Sequence, residues 1–318
     1  MDREKFLNSV KGKDFLTLRD FDGDELRVIL DISSEIKEES EKKARTDYLD
    51  GKTLGMLFEK PSTRTRVSFE VAIYQLGGMG LFLSANDLQL KRGEPIKDTA
   101  RALSGYLDGI MVRTFSHKTI EELANYSKVP VINGLTDLYH PCQVMADLLT
   151  IKEEYGRLYG LTLTFLGDGK NNMAHSLLYG CSKLGVNLVI ASPKNYFPRE
   201  EIVGEAKKMA SQKGSEITIT EDPDDAVKYS QVLYTDVWAS MGDEDERDKR
   251  IKDLSPYQLN EKLLSKADKD AIALHCLPAH RDEEITDGVI EGSRSRVFVQ
   301  AENRLHAQKG ILYALMRD

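Results

Sequence analysis

An alternation of short apolar runs with helix-length segments constrains this chain most. TLGMLF at 53–58, the run at 81–83, GIMVR at 109–113 and VPVINGL at 129–135 are followed by LTLTFLGDG, VNLVIASP, EITITED, QVLYTDV and AIALHCLP. Strands that alternate with helices build parallel sheets, since each helix carries the chain back to the edge where the next strand starts. The helical segments fit this reading. Residues 23–45 place Leu26, Ile29, Leu30 and Ile36 on one stripe, and further helices are expected after Ser62, over 96–107 and over 172–184. With 318 residues there is length for two cores. The expected fold is α/β with two domains, each a central parallel β-sheet flanked by helices. HPCQVMADLLTIKEEYG, a long helix opening at a proline, lies between the halves and can connect them; NRLHAQKGILYALMRD reads as a closing amphipathic helix. DEDERDKRIKD, after Gly242, reads as a flexible charged loop.

Composition narrows the class. A net charge of −8 argues against a chain whose main business is holding nucleic acid, so basic clusters are expected to be local pockets. No apolar run is long enough to cross a bilayer, and MDREKFLNSVKGKDF lacks a signal-peptide core, which makes a cytoplasmic location the default. Three scattered cysteines, Cys142, Cys181 and Cys276, suit a reducing compartment. His275, Cys276 and His280 come nearest to a metal cluster, but no carboxylate or second thiol stands at useful spacing, so no metal is expected.

EKPSTRTRVSFEVA, at 59–72, runs against the usual electrostatics of a helix start. A first helical turn has unpaired N–H groups and a partial positive charge, so it favours acids or a bound anion. Here Lys60, Arg64 and Arg66 crowd it instead. Ser62 or Thr63 can cap the helix, and a phosphate among these cations accounts for the rest. The ordinary alternative is that the long side chains reach into solvent.

Ligands of open α/β sheets bind beyond the carboxyl ends of strands. The polar residues there are Ser62-Thr63-Arg64-Thr65, Arg113, His140 with Gln143, Asn171-Asn172, Asp236 with Ser240-Met241, and His275-Cys276-Leu277-Pro278. Each taken alone has a structural explanation: a cap, a turn former or a small buried residue. Together, one half offers donors to a phosphate and a carbonyl oxygen, and the other offers Asp236 for an ammonium. That set points to transfer of a carbonyl-type group from a phosphorylated donor to an amine. The competing reading takes GDGKNN, at 167–172, as a dinucleotide-binding turn, but Asn172 stands where a glycine is needed and the next strand ends in Ala-Ser-Pro without an acid for a ribose.

STRTR at 62–66, HPCQ at 140–143, DVWASMG at 236–242 and HCLPAH at 275–280 resemble the ornithine carbamoyltransferases, in that family's order and over essentially the whole chain. The first two motifs resemble carbamoyltransferases in general, and the last two narrow the acceptor to ornithine. The resemblance implies a carbamoyl phosphate-binding domain over 1–140, joined by the C-terminal helix 303–318, and an ornithine-binding domain over 141–302. Ser62, Thr63, Arg64 and Thr65 would take the phosphate, with Arg113, His140 and Gln143 around the carbamoyl end and Arg304 as a further contact. Cys276 and Leu277 would sit by the reacting amine, while Asn172, Asp236, Ser240 and Met241 would hold ornithine. Arg113, His140 and Cys276 would be catalytic. Gln89 matches a residue contributed by a neighbouring subunit, implying a homotrimer or a multiple of trimers. Cys142 stands where threonine is usual, and Lys91-Arg92-Gly93 departs from common bacterial forms of its loop.

The implied reaction gives citrulline and phosphate, within arginine metabolism, with no metal, nucleotide or other cofactor. Closure of the two domains and movement of the segment after Ser240 as a lid are expected with it. Within the group, aspartate, putrescine or an acylated ornithine are alternative acceptors; a catalytically silent assembly protein of the same fold is the alternative from another class.

Overall fold

The computed structural model describes residues 3–42, 46–239 and 246–318. It divides into two compact units, Met1–Leu149 with Asn303–Asp318, and Thr150–Glu302.

The first unit contains α1 (Arg3–Val10), α2 (Gly23–Lys42), β1 (Thr53–Phe58), α3 (Thr63–Gln75), β2 (Met79–Ser84), α4 (Ile96–Leu103), β3 (Gly109–Arg113), α5 (His117–Tyr126), β4 (Val131–Leu135) and most of α6 (Pro141–Tyr155). Its sheet has the order β2-β1-β3-β4 with every pair parallel. β1 and β3 are buried almost throughout, as helices on both faces require, and this is why their sequences are continuously apolar. In α2 the stripe Leu26, Ile29, Leu30 and Ile36 is buried, as its spacing predicts.

The second unit contains β5 (Thr162–Leu166), α7 (Asn172–Leu184), β6 (Asn187–Ala191), α8 (Glu200–Lys213), β7 (Ile217–Thr220), α9 (Pro223–Ala226), β8 (Val232–Thr235), α10 (Arg247–Leu254), α11 (Glu261–Leu264), β9 (Ile272–His275) and α12 (Asp287–Ile290). Its sheet, β7-β6-β5-β8-β9, is also entirely parallel. α7 is punctuated by its own residues: Asn171 caps its start, and Gly185 ends it in the left-handed conformation at φ +75°. α13 (Val297–Met316) begins in this unit and finishes in the first.

Each sheet reverses its strand order once. The first turns between β1 and β3, the second between β5 and β8. Crossovers leave such a pair in opposite directions and open a crevice at the carboxyl ends of its strands, where ligands bind. STRTR follows β1 and Arg113 ends β3; GDGKNN follows β5 and Asp236 follows β8. Register holds these ends level, with Phe58 beside Arg113, Leu166 beside Thr235 and Thr235 beside His275.

Two sequence expectations change. Residues 247–254 of the charged run form a helix: Leu254 is buried with Tyr196 and Trp238, Ile251 packs on them, and Asp253 accepts from the Tyr196 hydroxyl at 3.1 Å. Its few apolar residues and one aromatic contact were hidden by the surrounding charge. From Asn303 onward α13 is buried on almost every side and is not amphipathic. It meets α2 closely: a Cβ on Gly310 would stand 2.9 Å from the Ile29 carbonyl oxygen, and buried Lys309 donates to Ser40 Oγ at 2.8 Å. Among the described residues, no helix is long and apolar enough to cross a membrane.

Candidate active site

In the first unit the site begins at the cap of α3. Ser62, in extended conformation, accepts from the Thr65 N–H through its hydroxyl at 3.2 Å. Thr65, fully buried, accepts in turn from Ser62 Oγ at 3.1 Å and from Arg304 Nη2 at 2.8 Å. Both hydroxyl lone pairs are then used, and its O–H remains to donate. The Arg304 contact joins the C-terminal helix to a helix start 239 residues earlier. Thr63 is exposed and Arg64 partly exposed; Arg64 Nε is buried without a hydrogen-bond partner among the described residues.

The three cations of this stretch separate. Arg66 turns to the surface, lying 3.8 Å from the Phe82 ring centroid and 3.7 Å from Glu70. Lys60 is buried over the Phe115 ring at 4.0 Å. The solvent explanation therefore holds for Arg66, while Arg64 and Arg304 stay with the cap.

Arg113 and His140, both buried, complete this cluster. Burial first, then Arg304 and Arg113, push the His140 imidazole well below its ordinary pKa, so the ring is neutral near pH 7. A neutral ring donates through one nitrogen without adding charge. Gln143, one turn into α6, is buried and gives its amide N–H to Asp147 at 2.9 Å. Cys142 is wholly buried, donates to the Asn133 carbonyl at 3.3 Å, and has its thiol pushed up to about 12 by burial. It is a packing thiol in place of threonine. Gln89 is exposed after edge strand β2 and makes no side-chain hydrogen bond among the described residues.

In the second unit the carboxyl ends of β5, β8 and β9 come together around Asp236. Asn171, besides capping α7, donates to Asp236 Oδ2 at 3.2 Å. Asp236 Oδ1 accepts from the Val237 N–H at 2.8 Å and from the Cys276 thiol at 2.9 Å. Burial raises the Asp236 carboxyl above the usual carboxylate range, against the opposing effect of these hydrogen bonds. Asn172, partly exposed, is the first residue of α7. Ser240 and Met241, with the rest of the segment expected to act as a lid, lie outside the described residues.

His275 and Glu284, both with no exposed side-chain surface, lie behind Cys276. The Leu277 N–H donates to His275 Nδ1 at 2.9 Å, so His275 Nε2 carries the hydrogen and donates to Glu284 Oε1 at 3.1 Å. Gln300 accepts from the His275 N–H at 2.9 Å and donates to the Tyr234 hydroxyl. These bonds hold Leu277 at φ +56°, an uncommon conformation for a residue with a side chain. Ligating atoms of Asp236, His275 and Cys276 lie within 4.8 Å of one another, so a carboxylate does join the pair that looked isolated in sequence. Both His275 nitrogens are already engaged, which leaves no lone pair for a metal without breaking the Leu277 contact. His280, Glu283 and Glu284 form a second such group, but Glu283 pairs with Arg247 and Glu284 with His275.

Motif reading missed Glu284, Gln300 and Asp147. Glu284 lies nine residues beyond His275 on an irregular segment, where no helical or strand periodicity links the two. Asn171 stands among the strand-end residues in the sequence, and its bond to Asp236 is added by the fold.

Two family models match successive parts of the chain. The model of the aspartate/ornithine carbamoyltransferase carbamoyl-P binding domain matches residues 13–153, and that of the Asp/Orn binding domain matches 159–315. The chain is 57% identical over 309 residues to an ornithine carbamoyltransferase of Oceanobacillus iheyensis, covering 97% of this chain and 96% of that one. It is 53% identical over 308 residues to the Bacillus subtilis ornithine carbamoyltransferase, covering 97% and 95%. Among solved structures, the ornithine carbamoyltransferase from Pyrococcus furiosus superposes with a TM-score of 0.93 at 50% identity, covering 96% of this chain and 98% of that one.

Proposed function

The chain belongs to the aspartate/ornithine carbamoyltransferase family, and from that premise we propose that it transfers the carbamoyl group of carbamoyl phosphate to the side-chain amine of L-ornithine, giving L-citrulline and phosphate in arginine metabolism. The observation that carries the reading is the meeting of Asp236 and Cys276 at the ends of adjacent strands β8 and β9, in a chain whose other unit gathers Arg64, Arg113, His140 and Arg304.

The α3 N-terminus, with Ser62, Thr63, Arg64 and Thr65, takes the phosphate. Arg113 and neutral His140 donate to the carbonyl oxygen as negative charge develops on it, and Gln143 and Leu277 flank the carbamoyl group. Ornithine lies against Asn172, Asp236, Ser240 and Met241. Its side-chain amine, with an unperturbed pKa of about 10.4, must lose a proton before attacking. The Cys276 thiol donates to Asp236 in this arrangement, so Cys276 can take a proton from the amine only as its own passes to that carboxylate. The raised pKa of Asp236 favours this transfer. The nitrogen–carbon bond then forms, the carbon–oxygen bond to phosphate breaks, and phosphate leaves on the cations that held it.

Residues 1–140 with 303–318 form the carbamoyl phosphate domain in this reading, and 141–302 the ornithine domain. The enzyme works in the cytoplasm as a homotrimer or a multiple of trimers, with Gln89 serving a neighbour's site. Exposed apolar side chains support association: Met79, Leu81 and Phe82 on edge strand β2, with Val67 and Tyr74 on α3.

The test is citrulline formation from carbamoyl phosphate, with ornithine compared against putrescine, aspartate and N-acetylornithine. Strong preference for ornithine is expected. Preference for another acceptor overturns the assignment of Asp236, and no product with any acceptor favours a silent assembly protein.

A further inference from the structure

Gln143 poses a question of orientation. Its amide can present either oxygen or nitrogen to a ligand, and these choices recognise opposite chemistry. Both Gln143 and Asp147 are buried, at 1% and 0% exposure, one turn apart on α6. Gln143 Nε2 donates to Asp147 Oδ1 at 2.9 Å. Gln143 Oε1 is also buried and has no hydrogen-bond partner among the described residues. A buried amide oxygen left this way is unfavourable until a donor reaches it.

With the amide nitrogen donating to Asp147 Oδ1, Asp147 holds that nitrogen and turns the oxygen away from itself. The two guanidinium groups that act on His140 in the first unit, Arg113 and Arg304, are donors only. Guanidinium groups serve a carbonyl or phosphate oxygen and offer no acceptor to an N–H group. A carbamoyl group carries both a carbonyl oxygen and an NH2. Acetyl phosphate has nearly the same shape, with a methyl in place of the NH2.

Resting on the carbamoyl phosphate reading above, we propose that Asp147 is a specificity-positioning residue: its carboxylate fixes the Gln143 amide with the oxygen toward the ligand, selecting carbamoyl phosphate over acetyl phosphate. Asp147 touches no reacting atom in this role. It acts by setting which end of Gln143 the ligand meets.

The experiment measures binding of carbamoyl phosphate, acetyl phosphate and inorganic phosphate to the full chain and to Asp147→Asn, whose amide can accept or donate and so releases the constraint. The expected result is a fall of about tenfold in the preference for carbamoyl over acetyl phosphate, the size of one uncharged hydrogen bond. Inorganic phosphate, which does not reach Gln143, should bind within about twofold of the parent. Asp147→Ser provides the same comparison if the asparagine variant does not fold. Undiminished preference in a folded variant overturns the proposal. So does an equal loss for all three ligands, which marks Asp147 as merely structural. A parent chain that binds inorganic phosphate without preferring carbamoyl phosphate would instead sink the donor-site reading, and this proposal with it.

Discussion

In the first unit Arg113, at a strand end, and Arg304, on the C-terminal helix, act on an imidazole kept neutral first by burial and then by those two guanidinium groups. In the second the strand ends gather Asp236, Cys276 and the buried His275–Glu284 pair. Both are parallel sheets with a single reversal of strand order, and both place polar residues at that reversal and after the edge strand beside it. Backbone architecture is therefore shared, while the charge is opposite. Shared topology supplies a crevice, and the side chains at its rim set the charge that it carries. His140 is neutral in the first unit mainly because burial disfavours its charged form, with the two guanidinium groups adding to that effect.

If the two clusters serve different substrates, they should fail separately. Asp236→Asn should have the largest effect, lowering kcat/KM for ornithine by roughly 10³-fold through loss of both the ammonium partner and the proton acceptor, while leaving the affinity for inorganic phosphate unchanged. Steady-state kinetics with equilibrium phosphate binding checks both halves. A matching loss of phosphate affinity would break the separation. Arg64→Ala should do the reverse, weakening carbamoyl phosphate and inorganic phosphate by about 10–100-fold, as expected for a charge-assisted contact. Ornithine KM at saturating carbamoyl phosphate should stay near the parent value.

Cys276→Ser keeps a donor to Asp236 but replaces the thiol with a far weaker acid. We expect kcat to fall by about tenfold with little change in KM, and Cys276→Ala to fall further. Equal rates for parent and alanine variant would remove Cys276 from the proton path.

The remaining effect is on stability. Burial first, then Lys309 and Lys37, lower the His306 imidazole from 6.5 to about 4. Between those values the unfolded chain binds more protons than the folded one, so stability is lost as pH falls from about 6.5 toward 4. His140 and His117, also lowered mainly by burial, act in the same direction, and all three are in the first unit. His306→Gln should reduce the acid loss by on the order of 2 kcal/mol. Urea unfolding at pH 7 and pH 4.5 measures this, and an unchanged difference between the two pH values counts against it.

Much of the site was legible because strand ends are marked locally. Ser62 caps α3 and Asn171 caps α7, each next to an apolar run whose end sequence alone locates. Arg64 could be singled out because cations at a helix start oppose the local field. Sequence could not separate Arg64 from Arg66, since both lie on the same helix and only the position of Phe82 draws Arg66 outward. It also could not see that α10 would form, or that Glu284 would lie against His275. Those outcomes depend on partners brought close by other segments.

The amino-acid order alone determined the alternation of strands and helices, the parallel pairing it entails, the capped helix starts and the motif residues at the strand ends. All of these follow from interactions between residues a few positions apart or from repeated local patterns. The tertiary structure decided which atoms face one another: Arg304 against Thr65, Cys276 against Asp236, His275 against Glu284, and Lys309 buried beside Ser40. It also decided the protonation of His140, because desolvation and the nearness of two guanidinium groups exist only once distant segments have packed.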